Sequence, residues 1–182
     1  MQFVILVAMN IILIGYRACG KTTVGKMLAE HLWKTFVDID DEALKKLDSD
    51  SIAEVFEERG EAVWRDAEVQ VTKELVQRLD MVIGLGGGTL MQPEARQAIK
   101  QAADTVRIYL RCEPTELLHR IQTDTMSAAR RPNLTNLGGG IEEISHVLAD
   151  REPVYRAVAD KEFDVTHVAA KDALRHIIVK CL

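Results

Sequence analysis

The sequence is poor in features that would assign it to several other classes of protein. Its 182 residues include three cysteines, Cys19, Cys112 and Cys181, and no C-x-x-C pair. We therefore expect neither a disulfide framework nor a structural zinc site, and reduced thiols fit a cytoplasmic protein. Acidic residues outnumber basic ones by 28 to 23, so the net charge of -5 gives no indication of a surface that binds nucleic acid.

Long hydrophobic runs are absent apart from one near the amino terminus. Residues 3–14 are almost continuously apolar, but a membrane-spanning helix needs about 20 such residues. The run has no preceding basic segment and no cleavage site, so we expect no signal peptide. The strand within it needs only about five residues. We therefore expect residues 1–8 to be an upstream extension and Met9 to be the native start; a longer first strand is the alternative.

Strand-like and helix-like stretches alternate along the chain, without an internal repeat, a linker or a low-complexity tract. Short apolar runs typical of buried strands are separated by longer amphipathic stretches typical of helices. This alternation predicts a single three-layer α/β/α domain over residues 1–182, with a mainly parallel sheet of five strands. The predicted strands are 11–14, 36–40, 81–85, 105–111 and 162–165, and the predicted helices are 23–33, 43–79 with a break at Gly60, 93–103, 113–121, 141–159 and 171–182.

The segment Gly15–Thr22, called here the phosphate loop, matches the pattern G-x-x-x-x-G-K-[ST]. A predicted strand precedes it and a predicted helix follows it, which is the context that the pattern requires. Its glycines allow close approach of the backbone, so that successive N–H groups and the helix amino terminus can surround phosphate oxygens. We predict a nucleotide site in which Lys21 contacts the outer phosphates and Thr22 binds Mg²⁺. The expected ATP contacts in this region are Gly15, Ala18, Cys19, Gly20, Lys21, Thr22 and Thr23, with no separate role for the Cys19 thiol.

Two acidic residues stand at the end of the second predicted strand. Asp38 and Asp40 are two positions apart, and such residues point to the same side of a strand. We therefore expect both carboxylates to face one site, where they could serve Mg²⁺ and a substrate hydroxyl. The alternative is a capping role at the start of the next helix, because aspartate is common there.

Two further glycine-rich segments are candidates for the site. Gly86, Gly87 and Gly88 follow the third predicted strand, and the carboxyl ends of parallel strands are where open α/β sheets bind ligands. The segment 122–140 contains Arg130 and Arg131 and ends in three more glycines. A polar loop of this length is usually functional or disordered. We expect a mobile lid that brings positive charge to phosphates on closing.

These motifs together resemble the shikimate kinase family over nearly the whole chain, from about Asn10 onwards. Members of that family combine a phosphate loop with D-x-D, F/W-R, G-G-G, R-P and R-x-P-x-Y motifs. The same motifs occur here, in the same order and at similar spacings, as Asp38–Asp40, Trp64-Arg65, Gly86–Gly88, Arg131-Pro132 and Arg151–Tyr155. The resemblance implies a P-loop kinase fold and transfer of the γ-phosphoryl group of ATP to the 3-hydroxyl of shikimate, in aromatic amino-acid biosynthesis.

The resemblance also implies which residues would bind the acceptor. Shikimate carries a carboxylate and three hydroxyls. Arg65 and Arg151 match the family's carboxylate partners, and arginine binds such planar groups in a bidentate manner. Asp40 matches the residue that holds the reacting hydroxyl and accepts its proton, while Gly86–Gly88 would form a wall against the ring.

For the nucleotide, the resemblance implies a second set of residues. Lys21 and the lid residue Arg131 would neutralise the transferring phosphoryl group, an effect worth a factor of about 10³ or more in rate. Arg120 would stack on the adenine, and the loop that contains Ala169 would cover its other side. Asp38 would support Mg²⁺ through water, with Thr22 as the direct ligand.

Other functions remain open on the residues alone. A kinase of gluconate or of a nucleoside monophosphate would share the phosphate loop, although Arg65, Arg151 and the triple glycine favour a small carboxylated acceptor. A nucleotide-dependent switch is less consistent, because the acidic motif follows the loop too closely and no N-K-x-D pattern is present. The intact Lys21, Thr22 and Asp40 argue against a non-catalytic binding protein. We expect a monomer with ATP and shikimate as ligands.

Overall fold

The computed structural model describes residues 9–123 and 140–181. It contains a five-stranded sheet in the order β2-β3-β1-β4-β5, and every pair of neighbouring strands is parallel. The predicted sheet is thus confirmed, whereas the predicted extension at residues 1–8 lies outside the described residues. The strands are β1 (Asn10–Ile14), β2 (Thr35–Asp38), β3 (Met81–Gly84), β4 (Thr105–Arg111) and β5 (Lys161–Asp164).

Helices connect the strands and cover the sheet. Within the described ranges, none of them is both long and apolar enough to cross a membrane. A single-turn 3₁₀ helix, Thr89–Met91, follows β3. The α-helices are α1 (Lys21–Leu32), α2 (Ile39–Leu47), α3 (Ile52–Arg59), α4 (Glu61–Leu75), α5 (Pro93–Gln101), α6 (Pro114–Thr123), α7 (Ile141–Val158) and α8 (Ala170–Cys181).

The predicted helix over 43–79 is in fact three helices. The break at Gly60 is confirmed, but the chain breaks a second time between α2 and α3. Asp48 ends α2 in a left-handed conformation with φ 50°, and Ser51 caps α3 by accepting a hydrogen bond of 3.1 Å from the Glu54 N–H. Local capping therefore overrides the helical periodicity that runs across these residues.

The core has two layers, one on each face of the sheet. The alternation of side chains along β1 divides its residues between them. Ile12 and Ile14 pack with residues of α3, α4 and α5, whereas Ile11 and Leu13 pack with residues of α1, α6, α7 and α8. Since all five residues of β1 are buried, this strand is the centre of the three-layer structure.

The sheet topology brings the predicted motifs to one edge. The phosphate loop follows β1, Asp38 ends β2, and the glycines Gly86–Gly88 follow β3. Asp38 is paired in register with Gly84 of β3, and β3 in turn lies beside β1. The carboxyl ends of these three neighbouring strands therefore open into a common crevice, where α/β sheets bind ligands.

One glycine of the core is required by close packing rather than by its backbone angles. A Cβ atom at Gly25 of α1 would lie 2.7 Å from Phe36 Cδ2, closer still to Cε2, and 3.1 Å from Leu13 Cδ1. We expect Gly25→Ala to lower the free energy of unfolding by about 1–3 kcal/mol, although alanine is the better helix former by about 1 kcal/mol. Urea unfolding followed by circular dichroism measures this change.

A second substitution separates overpacking from other effects. Phe36→Leu in the Gly25→Ala background removes the ring that the new methyl group would meet, so it should recover part of the lost stability. A Gly25→Ala protein as stable as the parent would show that α1 does not approach β2 this closely.

Candidate active site

The phosphate loop wraps closely around its own lysine. Gly20 takes a left-handed conformation with φ 103° as the residue that caps α1, which a side chain at this position would disfavour. The Nζ atom of Lys21 donates hydrogen bonds to the carbonyl oxygens of Gly15 at 2.8 Å and Tyr16 at 2.9 Å, and it lies 3.9 Å from the Cys19 sulfur. The buried ammonium group thus closes the loop on itself.

The start of the loop depends on contact with β4. A Cβ atom at Gly15 would lie 2.8 Å from the Leu110 carbonyl oxygen and 2.6 Å from the Cys19 sulfur. The predicted reason for glycine at this position, close approach of the backbone, agrees with this geometry. Ala18 has φ 63° within the same loop, so a non-glycine residue here adopts the left-handed conformation, which is usually the more costly one.

The acidic pair does not have the predicted arrangement. β2 ends at Asp38, and Asp40 belongs to the first turn of α2, so the two side chains are not successive same-face residues of a strand. Asp38 caps α2 by accepting a hydrogen bond of 3.1 Å from the Asp40 N–H. Its other oxygen accepts a 3.1 Å hydrogen bond from the Thr22 hydroxyl. Asp38 therefore takes the capping position of the alternative, and both carboxylates still reach the same crevice.

A cavity beside the phosphate loop, called here the loop cavity, collects most of the predicted nucleotide residues. Its walls combine the positive end of α1 and the Lys21 ammonium with the oxygen atoms of Thr22 and Asp38. Such a surface is suited to phosphate oxygens and a cation. The lining residues are Ala18, Gly20, Lys21, Thr22, Thr23, Asp38, Asp40, Leu85, Gly87 and Arg120.

Arg120 reaches this cavity from α6. Its guanidinium group donates to Glu116 at 2.7 Å, to the Val165 carbonyl oxygen at 2.9 Å and to the Cys19 carbonyl oxygen at 3.4 Å. These bonds join α6, the end of β5 and the phosphate loop. Ala169 lies just before α8 and its carbonyl accepts from the following turn, but it is not part of the described wall of the loop cavity.

A second cavity adjoins the first, and we call it the arginine cavity. It shares Asp40 and Gly87 with the loop cavity, so these two residues stand where the cavities meet. Its lining combines apolar and aromatic side chains with three arginines. The lining residues are Tyr16, Arg17, Asp40, Ile52, Phe56, Trp64, Arg65, Glu68, Gly87, Gly88 and Arg151.

Arg65 is held at the arginine cavity by two carboxylates of its own helix. It donates to Glu61 at 2.8 and 3.0 Å and to the buried Glu68 at 2.6 Å. Burial alone would lower the pKa of Arg65, but the charges of Glu68 and Glu61 outweigh it and raise the pKa above its ordinary value. The guanidinium group is therefore both charged and fixed in orientation.

Arg151 and Tyr155 of α7 converge on the triple glycine. Arg151 donates a 2.9 Å hydrogen bond to the Gly87 carbonyl oxygen, and the Tyr155 hydroxyl donates to the same oxygen. Burial raises the pKa of Tyr155, so its hydroxyl stays protonated as a donor. The first and last residues of the R-x-P-x-Y motif thus fix one carbonyl of the glycine segment.

The outer glycines of the segment lie against the charged side chains of the site. A Cβ atom at Gly86 would lie 2.6 Å from Glu68 Oε1, 2.9 Å from the Thr89 hydroxyl, and closer still to Asp40 Oδ1. A Cβ atom at Gly88 would lie 2.7 Å from an Arg65 nitrogen. Since the backbone angle φ is not positive at either residue, close approach is what requires glycine here.

The predicted lid and its arginine cannot be compared with the structure. Residues 124–139, which include Arg131, lie outside the described residues. The two preceding residues of the predicted segment, Gln122 and Thr123, are helical and extend α6 beyond the predicted end at residue 121. The lid and the role of Arg131 therefore stay predictions.

Several residues of the arginine cavity had no predicted role. For Glu68 the signal was present, because Glu61, Arg65 and Glu68 have the i,i+4 and i,i+3 spacings that place charges side by side on a helix. For the others, nothing in the sequence indicates that they meet at one cavity. The residues are Tyr16, Arg17, Ile52, Phe56, Trp64 and Glu68.

Known proteins match both the sequence and the fold. A family model described as "SKI: Shikimate kinase" matches residues 17–182. Shikimate kinase from Rhodopirellula baltica is 37% identical over 93% of this chain and 88% of its own length, and that from Alkaliphilus oremlandii is 34% identical over 93% and 96%.

The solved structure of "Shikimate kinase from Acinetobacter baumannii in complex with shikimate" is also similar. Its TM-score is 0.86 at 32% identity, and the match covers 98% of this chain and 95% of that one. The fold is accordingly that of a P-loop kinase. The sequence and structural matches agree with the motifs gathered at the crevice, and this chain belongs to the shikimate kinase family.

Proposed function

We propose that this protein transfers the γ-phosphoryl group of ATP to the 3-hydroxyl of shikimate, giving shikimate 3-phosphate and ADP. The observation that carries the proposal is the meeting of two cavities at Asp40 and Gly87. One cavity has the chemistry of a phosphate site and the other that of a site for a small carboxylated ring. An enzyme of this family is expected to act in the cytoplasm, as a monomer.

The arginine cavity is the proposed acceptor site. Arg65 and Arg151 would bind the acceptor carboxylate, because guanidinium groups pair with carboxylates through two parallel hydrogen bonds. The apolar rings of Phe56 and Trp64 would lie against the carbon ring. Gly87 and Gly88 would let the acceptor approach the backbone, since no side chain stands between them and the cavity.

Asp40 is the proposed base. Its carboxylate is buried and faces both cavities, so it can accept a hydrogen bond from an acceptor hydroxyl that points towards the phosphate loop. As the oxygen attacks phosphorus, its proton passes to this carboxylate, and the leaving group departs as ADP. A positioned base of this kind contributes a factor of about 10² to 10⁴ in rate.

The loop cavity is the proposed site for ATP. Loop N–H groups and Lys21 would neutralise the phosphates, and Arg120 would contact the base. Thr22 and Asp38 present neighbouring oxygen atoms 3.1 Å apart, which fits Mg²⁺, an ion usually held by one or two protein oxygens together with substrate phosphates and water. Bound there, Mg²⁺ would offset phosphate charge; Arg131 and Ala169 remain further proposed contacts to ATP.

Coupled measurement of ADP release tests this function. The purified protein would be assayed with ATP and Mg²⁺, alone and with shikimate, gluconate or nucleoside monophosphates. We expect release that depends on shikimate, with the other acceptors near background. ADP release that depends on gluconate or on a nucleoside monophosphate instead would contradict the proposed acceptor. Rapid ADP release without any acceptor would indicate a nucleotide-dependent switch, the alternative that family membership does not favour.

A further inference from the structure

Tyr155 of α7 has no role in the proposed function, yet its hydroxyl group reaches the glycine that both cavities share. The side chain is 1% exposed and is not part of the described wall of either cavity. Its hydroxyl donates a hydrogen bond to the Gly87 carbonyl oxygen, and Arg151 donates to the same oxygen at 2.9 Å. Since a carbonyl oxygen has two lone pairs, these two donors satisfy it fully.

The Gly87 carbonyl belongs to the peptide that joins Gly87 to Gly88, and both glycines line the arginine cavity. A peptide group is planar, so the donors that hold the carbonyl also fix the direction of the Gly88 N–H. Gly87 lies close to the phosphate loop as well, because a Cβ atom there would be 3.9 Å from the Gly15 carbonyl oxygen. The direction of this one carbonyl therefore sets the backbone wall of the acceptor site.

The two donors on this carbonyl differ in what binding of the acceptor requires of them. In the proposed function, Arg151 binds the acceptor carboxylate, which competes with the Gly87 oxygen for the N–H groups of the guanidinium. Tyr155 lies outside the described cavity wall, and burial raises the pKa of its hydroxyl, so it stays protonated as a donor. Tyr155 is therefore the donor that remains on Gly87 when the acceptor is bound.

We propose that Tyr155 is a positioning residue for the acceptor, which holds the Gly87 carbonyl in place while Arg151 turns to the acceptor carboxylate. Without the Tyr155 hydroxyl, either the carbonyl or the carboxylate would lose its hydrogen bond to Arg151, and acceptor binding would weaken in both cases. Binding of ATP alone would not weaken, because Arg151 then still donates to Gly87. This inference rests on the proposed function.

Tyr109 of β4 provides a matched control. Its ring centre lies 5.3 Å from that of Tyr155, and its side chain is equally buried. Its hydroxyl, however, donates to Glu152 at 2.7 Å and not to the glycine segment. Tyr109→Phe and Tyr155→Phe thus each remove one hydroxyl from the same aromatic pair, but only Tyr155→Phe takes a donor from Gly87.

The test measures the dissociation constant of shikimate by calorimetry, and the KM values for shikimate and for ATP by steady-state kinetics. We expect Tyr155→Phe to raise the dissociation constant and the KM of shikimate by about fivefold to a hundredfold, the usual cost of a buried carbonyl that loses its donor. The KM for ATP should stay within about twofold of the parent value. Tyr109→Phe should leave all three constants within about twofold, as expected for a substitution away from the site.

Urea unfolding without any ligand tests separately whether Arg151 and Tyr155 share the carbonyl. In the parent protein, Tyr155→Phe leaves Arg151 on the Gly87 oxygen, so the midpoint of unfolding should fall little. In an Arg151→Met background the same substitution removes the last donor, and the midpoint should fall further.

An unchanged dissociation constant of shikimate in Tyr155→Phe would overturn the inference. Equal rises in the KM values for shikimate and for ATP would also overturn it, because they would show that Tyr155 supports the site as a whole. Equal falls of the urea midpoint in the two backgrounds would show that the carbonyl is not shared, and would overturn it too. A parent protein that neither binds nor phosphorylates shikimate would instead contradict the proposed function, so the two failures are distinguishable.

Discussion

Replacing Asp40 by asparagine should lower kcat for phosphoryl transfer by a factor of about 10² to 10⁴, while the affinity for ATP changes little. Asparagine has nearly the same shape as aspartate, but its amide cannot take the proton of the acceptor hydroxyl. Asp40 is buried at the junction of the two cavities, so bulk water is poorly placed to act in its stead. Steady-state kinetics with shikimate and calorimetric titration with ATP separate the two effects.

The neighbouring Asp41 provides a matched control. It is exposed and lies on the same turn of α2, but it is not in the described wall of either cavity. Asp41→Asn should therefore keep kcat within about twofold of the parent value, as expected for a surface substitution. Equal turnover in the Asp40→Asn and parent proteins would remove this carboxylate from the mechanism.

Gly86→Ala should lower kcat/KM by about 10² or more, because an error of about 1 Å in the position of a reacting group can cost that much. The added methyl group would contact Asp40, Glu68 and Thr89 at once. Thr89 and Glu68 cannot move easily, since the Thr89 hydroxyl donates to Glu68 at 2.8 Å and Glu68 accepts from Arg65 at 2.6 Å. The strain therefore falls on the proposed base and on one arginine of the acceptor site.

Gly84, two residues before Gly86, provides the control for this predicted loss of kcat/KM. A Cβ atom at Gly84 would meet no atom closer than 3.4 Å, so Gly84→Ala should retain kcat/KM within about threefold of the parent value. Thermal unfolding of both variants shows how much of any loss is instability. A Gly86→Ala enzyme with parental kcat/KM would contradict the close packing of this glycine against Asp40.

Much of the fold and of the phosphate site follows from local sequence. The apolar run before Gly15, the glycine-lysine pattern and the amphipathic stretch after it specify a strand, a loop and a helix in order. These signals are local, because a buried strand, a tight turn of the backbone and the start of a helix each have a characteristic pattern within a few residues. The parallel sheet is predictable for the same reason, since it follows from the alternation of such segments.

The details of the site are less predictable because they depend on tertiary contacts. From the sequence, a strand that ends at Asp40 is as plausible as one that ends at Asp38. Only the hydrogen bond from the Asp40 N–H to the Asp38 carboxylate shows where α2 begins. No local pattern indicates that Arg151 and Tyr155 meet at the Gly87 carbonyl, 64 and 68 residues away. The hydrogen bond from the Arg17 side chain to Glu143 joins residues 126 positions apart in the chain, and no periodic pattern in the sequence predicts it.

The most direct test of the whole account is to identify the product. The protein would be incubated with ATP, Mg²⁺ and shikimate, and the phosphorylated product examined by phosphorus–proton correlation NMR. The account predicts one new ester whose phosphorus couples to the proton on C3, because Asp40 selects a single hydroxyl at the junction of the two cavities. Phosphate on another hydroxyl, or inorganic phosphate as the main product, would contradict it.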